Sequence, residues 1–87
     1  METEKNYEAV LQELVGRLAG HLGIPERDLS PELEVPSLQL DSVIAVTVLG
    51  ELQDLYRVDL PVNLFWEKER IGEVAEEIFL LVNSGRR

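Results

Sequence analysis

Asp41 and Ser42 stand together where a proline-punctuated loop gives way to an amphipathic run, Val43 to Tyr56. Two short polar side chains at that point are good N-terminal helix chemistry, because they satisfy free backbone N–H groups of the first turn. The Ser42 hydroxyl is also the chain's best-placed reactive oxygen. Direct nucleophilic catalysis by it would need a neighbouring base, usually a histidine, and an oxyanion hole. His21 is the one histidine, it belongs to a different helical segment, and there is no Gly-x-Ser-x-Gly elbow. A hydrolase built on Ser42 therefore lacks its machinery, and His21, in the last turn of its helix, is expected to serve the helix dipole or a local hydrogen bond.

The composition narrows the remaining classes. Eighty-seven residues make one small domain with a single core. With no cysteine there is neither a disulfide framework nor a thiolate metal site, and one histidine argues against a histidine metal cluster. An apolar fraction of 45% is that of a folded protein. No apolar run is long enough to span a membrane, and Met1 is followed by Glu-Thr-Glu-Lys rather than a signal peptide, so a cytoplasmic location is expected. A formal charge of -9 argues against nucleic acid or an anionic membrane as partner and favours basic protein surfaces.

The elements that position Ser42 are all helical. From Glu4 to Leu22, the residues Tyr7, Val10, Leu11, Leu14, Val15, Leu18 and Leu22 share one face at about 100° per residue. Gly23 and Pro25 stop that helix. A long loop to Leu40 holds Pro25, Pro31 and Pro36 between Ile24, Leu29, Leu33 and Leu38, which predicts a segment pinned by apolar side chains, with a helical turn near 25–28 or 30–33. Leu64, Phe65 and Trp66 are the apolar anchors of a short turn over 63–68, and Glu67-Lys68-Glu69-Arg70 is a solvated turn. Ile71, Val74, Ala75, Ile78 and Val82 form the inner face of a last helix over 71–83. The expected fold is all-α: a small right-handed bundle of three main helices, near 4–22, 42–57 and 71–83, with one short helix and a long first loop. The domain is expected to fill 1–83, leaving 84–87 as a mobile polar tail.

On the helix after Ser42, Ala45, Val48, Leu49, Leu52, Leu55 and Tyr56 make the core stripe. Val43, Val46, Thr47, Gly50, Gln53, Asp54 and Arg57 lie opposite, with Ile44 at the border. Val43, Ile44 and Val46 thus form an apolar patch beside the serine, and such patches tend to mark contact sites. An unmodified helical adaptor using that patch is the alternative reading.

The order of these features resembles the carrier-protein superfamily, the acyl and peptidyl carrier proteins that bear a 4′-phosphopantetheine arm. The resemblance covers the chain from the first helix through Val82. Its strongest element is Leu40-Asp41-Ser42-Val43, similar to the family's Asp-Ser-Leu signature, followed by "AVTVLGELQDLYRVDLP" with its closing Leu60-Pro61. The resemblance implies a monomeric, non-catalytic carrier. A phosphopantetheinyl transferase would attach the arm from coenzyme A to Ser42, with Asp41 either capping the helix or helping to hold a metal ion in the transferase complex. Loading and processing enzymes would then handle acyl or aminoacyl thioesters on the arm, docking on Val43, Ile44, Val46, Thr47, Gly50 and Asp54. Met1 and the absence of flanking linkers point to a free-standing carrier.

Two departures from the family pattern shape these expectations. Gln39 stands where the family usually has glycine two residues before the Asp, and a different turn is expected there. The helix after Ser42 offers only Asp54 on its outer face, with Glu51 at the edge, unlike the strongly acidic helix of fatty-acid-synthesis carriers. It is more similar to polyketide, peptidyl or other specialised carriers.

Overall fold

The computed structural model describes residues 6–84. Four α-helices follow one another: α1 (Tyr7–Leu22), α2 (Ser42–Tyr56), α3 (Leu64–Glu67) and α4 (Ile71–Ser84). Among the described residues the only strand-like contact is an isolated antiparallel bridge between Glu34 and Arg70. The all-α expectation holds.

α1 begins at Tyr7, the first residue of its apolar period, where Asn6 has an extended backbone and caps the helix, its Oδ1 accepting from the Ala9 N–H at 2.8 Å. A cap satisfies one of the orphan first-turn donors only from outside the helix. The helix ends at Gly23, whose φ of 72° places it in the left-handed region while its N–H donates to the Ala19 carbonyl at 2.8 Å. Toward the other end of the chain α4 runs through Asn83 to Ser84. Residues 1–5 and 85–87, which include Glu4 and the rest of the expected tail, lie outside the described residues.

Leu14 and Leu18 of α1, Val48 and Leu52 of α2, and Ile71, Val74 and Ile78 of α4 are all fully buried and meet in one core, as the helical periods require. α3 adds Leu64 and Phe65 but not Trp66, which stays 56% exposed. Successive helical residues point about 100° apart, so a single turn cannot bury three in a row. The expectation that Trp66 anchors the turn is therefore corrected.

The long loop is structured. A 3₁₀ turn covers Glu26–Asp28, as expected, and a second covers Val35–Leu38, where Pro36 fits the first turn of a helix. The 30–33 segment closes only a hydrogen-bonded turn, Leu33 N–H to Ser30 carbonyl at 3.0 Å. Leu29 and Val35 are buried in the core. The loop also completes α4: the Ile71 N–H donates to the Leu33 carbonyl (3.0 Å) and the Gly72 N–H to the Pro31 carbonyl (2.8 Å). First-turn donors of α4 thus find acceptors in the loop rather than in water. A Cβ on Gly72 would come within 3.1 Å of both the Pro31 carbonyl and the Tyr7 hydroxyl, so a glycine is what lets the loop lie this close. Glu69–Arg70 is equally tied down, through Val35 N–H to Glu69 carbonyl at 2.8 Å and through Glu73 Oε1, which accepts from both N–H groups of the pair. Glu69 and Arg70 thus clamp the loop through their backbone, while Glu67, Glu69 and Arg70 remain exposed, as a solvated turn requires.

Candidate functional site

Everything that fixes the loop delivers Ser42 to the start of α2. Asp41 is the N-cap, with an extended backbone; its Oδ1 accepts from the Ile44 N–H at 2.8 Å and its carbonyl from the Ala45 N–H at 3.1 Å. Of the two roles open to Asp41, the capping one is what the structure displays. Ser42 is the first residue of the fifteen-residue helix, and it is exposed. The N–H groups of Ser42 and Val43 have no acceptor among the described residues, so two donors and the positive end of the helix dipole surround the hydroxyl.

Gln39 resolves the first departure. It does not force another turn; it takes the left-handed conformation itself, with φ 50° and ψ 47°, and its N–H donates to the Pro36 carbonyl at 3.1 Å. Glutamine enters that region at a steric cost that glycine does not have.

The outer face of α2 divides. Val43 is 72% and Val46 51% exposed, and Thr47 and Asp54 are exposed beside them. Gly50 is half-buried, and Ile44 turns partly toward the core, which leaves it a minor part of the patch. Gln53 is engaged elsewhere: its side-chain oxygen accepts from the Leu60 N–H at 2.7 Å and holds the chain that leaves α2. Glu51 faces α1, where its carboxylate meets Arg17 Nη1 at 3.3 Å and His21 Nε2 at 3.0 Å. Those two partners hold the Glu51 carboxyl below its ordinary range, the His21 hydrogen bond contributing most. Asp54 is the one acid left on the exposed face. His21 takes its local hydrogen bond across two helices and lies far in sequence from any nucleophile it could serve.

A region the sequence did not single out lies on the other side of the loop end. Val35, Pro36, Gln39 and Leu40 face Phe65, Trp66 and Lys68 across a cleft of about 280 Å³. The exposed indole of Trp66 is its most visible part. Among the described residues no group of acidic, histidine or cysteine side chains could hold a metal ion. None of the described helices is long and apolar enough to cross a membrane.

A short helical bundle with an exposed serine just past the cap of its second long helix is the arrangement expected of a carrier domain. The comparisons with known proteins place it further. A family model described as "Phosphopantetheine attachment site" matches residues 12–78, and the chain belongs to that family. Among curated proteins, the chain is 27% identical over 78 residues to the non-reducing polyketide synthase albA of Aspergillus niger. It is 31% identical over 67 residues to the non-reducing polyketide synthase aoiG of Aspergillus oryzae. Those matches cover 90% and 77% of this chain but span only 4% and 3% of the two synthases. Among solved structures, a free-standing peptidyl carrier protein from an uncharacterised Acinetobacter baumannii secondary metabolic pathway superposes with a TM-score of 0.80 at 25% identity, covering 95% of this chain and 100% of that one. The HMG-ACPI domain from the CurA module of Lyngbya majuscula gives 0.77 at 21% identity, covering 95% and 85%, and supports the fold.

The chain is thus a carrier domain of a non-catalytic family that bears 4′-phosphopantetheine, and domains of this family work with enzymes that modify and use that group. The residues fit such a group. A phosphodiester at the head of α2 would meet the two free N–H groups and the helix dipole, which favour an anion. The Asp41 carboxylate is a neighbouring like charge, but it is already engaged with the Ile44 N–H.

Proposed function

We propose that Ser42 carries the 4′-phosphopantetheine arm and that the domain shuttles acyl intermediates in a polyketide-type or related specialised pathway in the cytoplasm. The observation that carries this reading is the exposed Ser42 hydroxyl at the first residue of α2, beside two unpaired backbone donors. In the transfer, the Ser42 oxygen attacks the coenzyme A phosphorus that bears the pantetheine. A new O–P bond forms, the pyrophosphate P–O bond breaks, and 3′-phosphoadenosine 5′-phosphate leaves. The hydroxyl proton passes to a base on the transferase, which accounts for a serine with no base of its own. The thiol needed for thioester chemistry comes with the arm, in keeping with a chain that has no cysteine.

The pathway reading rests on the two Aspergillus polyketide synthases and on the α2 face, where Val43, Val46 and Thr47 offer contact surface and Asp54 is the lone exposed acid. Loading and processing enzymes would cover this face, with Gly50 permitting close approach and Ile44 contributing at its border. The test is mass spectrometry of the intact chain after incubation with coenzyme A and a broad-specificity phosphopantetheinyl transferase. The wild type gains one arm, mapped by digestion to Ser42, and Ser42→Ala gains none while keeping its helix content. An arm on Ser30, Ser37 or Ser84, or an arm on Ser42→Ala, overturns the assignment.

A further inference from the structure

We propose that the groove between the start of α1, the Pro31–Glu32 segment and the outer side of α4 receives an arginine-bearing segment of a partner protein, in a contact that needs no phosphopantetheine arm. The groove has a volume of about 650 Å³, and Tyr7, Pro31, Glu32, Glu76 and Phe79 are among its walls. It shares no lining residue with the exposed Val43 and Val46 face of α2 or with the cleft beside Trp66. Along the loop, the backbone bonds of Leu33 to Ile71 and of Val35 to Glu69 stand between it and Ser42.

The groove is built before anything binds. Gly72 lies close to both Pro31 and Tyr7: its N–H donates to the Pro31 carbonyl at 2.8 Å, and a Cβ there would come within 3.1 Å of the Tyr7 hydroxyl. Tyr7 and Phe79 are half-buried, packed against the core and still lining the groove. Walls fixed in this way lose little freedom when a partner arrives. The aliphatic stem of a long basic side chain can lie along such rings while its charged head reaches polar groups.

The charges select the occupant. Glu32, Glu73 and Glu76 line the groove against a single cation, Arg70. Glu73 Oε1 is engaged with the Glu69 and Arg70 N–H groups. The carboxylates of Glu32 and Glu76 make no hydrogen bond or ion pair among the described residues, and neither does the Tyr7 hydroxyl. Burial, and then the charges of Glu76 and Glu8, hold the Tyr7 phenol above its ordinary range. The field that opposes a negative charge on Tyr7 draws in a cation and repels the phosphates of nucleic acid or anionic lipid. Several acceptors beside two aromatic rings suit a guanidinium better than an ammonium, because its planar fork carries five N–H donors and stacks on rings. A space of about 650 Å³ holds roughly twenty water-sized groups at ~30 Å³ each, more than one side chain fills. The arginine therefore arrives with neighbours, on a peptide segment.

The test titrates the full chain, unmodified and bearing the arm, with the peptide acetyl-Ala-Leu-Arg-Leu-Ala-amide and follows backbone amide shifts. Shifts are expected at Gly72, Glu76 and Phe79, equally in both forms and in Ser42→Ala. Citrulline in place of the peptide's arginine keeps the shape without the charge and should weaken binding about tenfold; lysine there should weaken it about threefold. Glu76→Gln should weaken binding about threefold, and Arg70→Gln, which removes the competing cation, should strengthen it by about as much. Both side chains are exposed, so neither variant should disturb the fold. Equal binding of the citrulline or lysine peptide, indifference to Glu76→Gln, or shifts centred on Val43, Val46 and Asp54 overturns the proposal. Displacement of the peptide by an equal concentration of spermidine also overturns it, since the groove is then a site for free polyamines. No shift at millimolar peptide overturns it outright.

Discussion

His21 of α1 and Glu51 of α2 meet through Nε2 and Oε2 at 3.0 Å, and the same carboxylate takes Arg17 Nη1 at 3.3 Å. One acid of α2 thus ties two helices together instead of facing a partner. The Glu51 carboxyl is held below its ordinary range, so the folded state binds its proton less readily than the unfolded chain does. Its contribution is present above the unfolded carboxyl value, about 4.3, and is lost as pH falls through the lower folded value. Glu51→Gln should therefore show a shallower loss of stability between about pH 4.5 and 3 than the wild type, followed by urea unfolding. Because the side chains are about one-third exposed, the cost at neutral pH should stay under about 1 kcal/mol. Identical acid limbs in the two proteins would show that the cluster does not couple the helices.

Among the described residues, the two non-glycines with positive φ, Gln39 at 50° and Arg57 at 58°, bracket α2. In that region a β-branched side chain is strained more than a straight one, and glycine is not strained. Gln39→Gly should raise stability by up to about 1 kcal/mol, the relief being partly offset by the freedom glycine adds to the unfolded chain. Gln39→Val should lower it by about 1–2 kcal/mol. Thermal unfolding of the pair decides the matter: if Val matches Gln while Gly is worse, the turn before Ser42 is not left-handed in solution.

Most of the bundle was legible in the sequence because a helical period writes core positions every three or four residues. The helix starts were less so, since caps such as Asn6 sit outside the period. Glu51 shows the limit of a single-helix reading. A wheel places it at the edge of α2, but only packing shows that Arg17 and His21 stand opposite. The cleft at Trp66 was invisible for a similar reason, because its walls come from residues about thirty apart in the chain. The left-handed Gln39 was signalled only by the glycine its family usually has there, because glutamine itself carries no local signal for positive φ.

Tyr56 is 95% buried, at 5% relative exposure, and its hydroxyl has no hydrogen-bond partner among the described residues. Burial pushes its ionisation upward, with the Glu13 charge adding to the effect. A buried hydroxyl without a partner carries its desolvation cost uncompensated. Tyr56→Phe should therefore gain about 1 kcal/mol in denaturant unfolding. It should also remove stability loss at alkaline pH, because a raised tyrosine favours folding below its unfolded value near 10 and ceases to as pH rises through its folded one. A loss of 1 kcal/mol or more on substitution would show that a bound water satisfies the hydroxyl.

Val43 and Val46 lie one and four residues past Ser42, are 72% and 51% exposed, and adjoin an exposed face with Asp54 as its only acid. Meanwhile Glu67, Glu69, Glu73, Glu76 and Glu77 gather along α3, the connector and α4. If partners read the arm by covering the α2 face, apolar contact dominates and the far acids matter little. Steering between charges weakens as salt rises, because the screening length shrinks to about 8 Å at physiological ionic strength, whereas burial of apolar surface does not weaken. Val46→Asp should then reduce loading by the cognate enzyme about tenfold or more, the effect of losing roughly 1.4 kcal/mol from a contact patch. Its melting temperature should stay near that of the wild type, since Val46 is outside the core. Partner affinity of the unmutated chain should change only modestly between low and physiological salt. A steep loss with salt, together with full activity of Val46→Asp, would move the docking surface to the acids of α4.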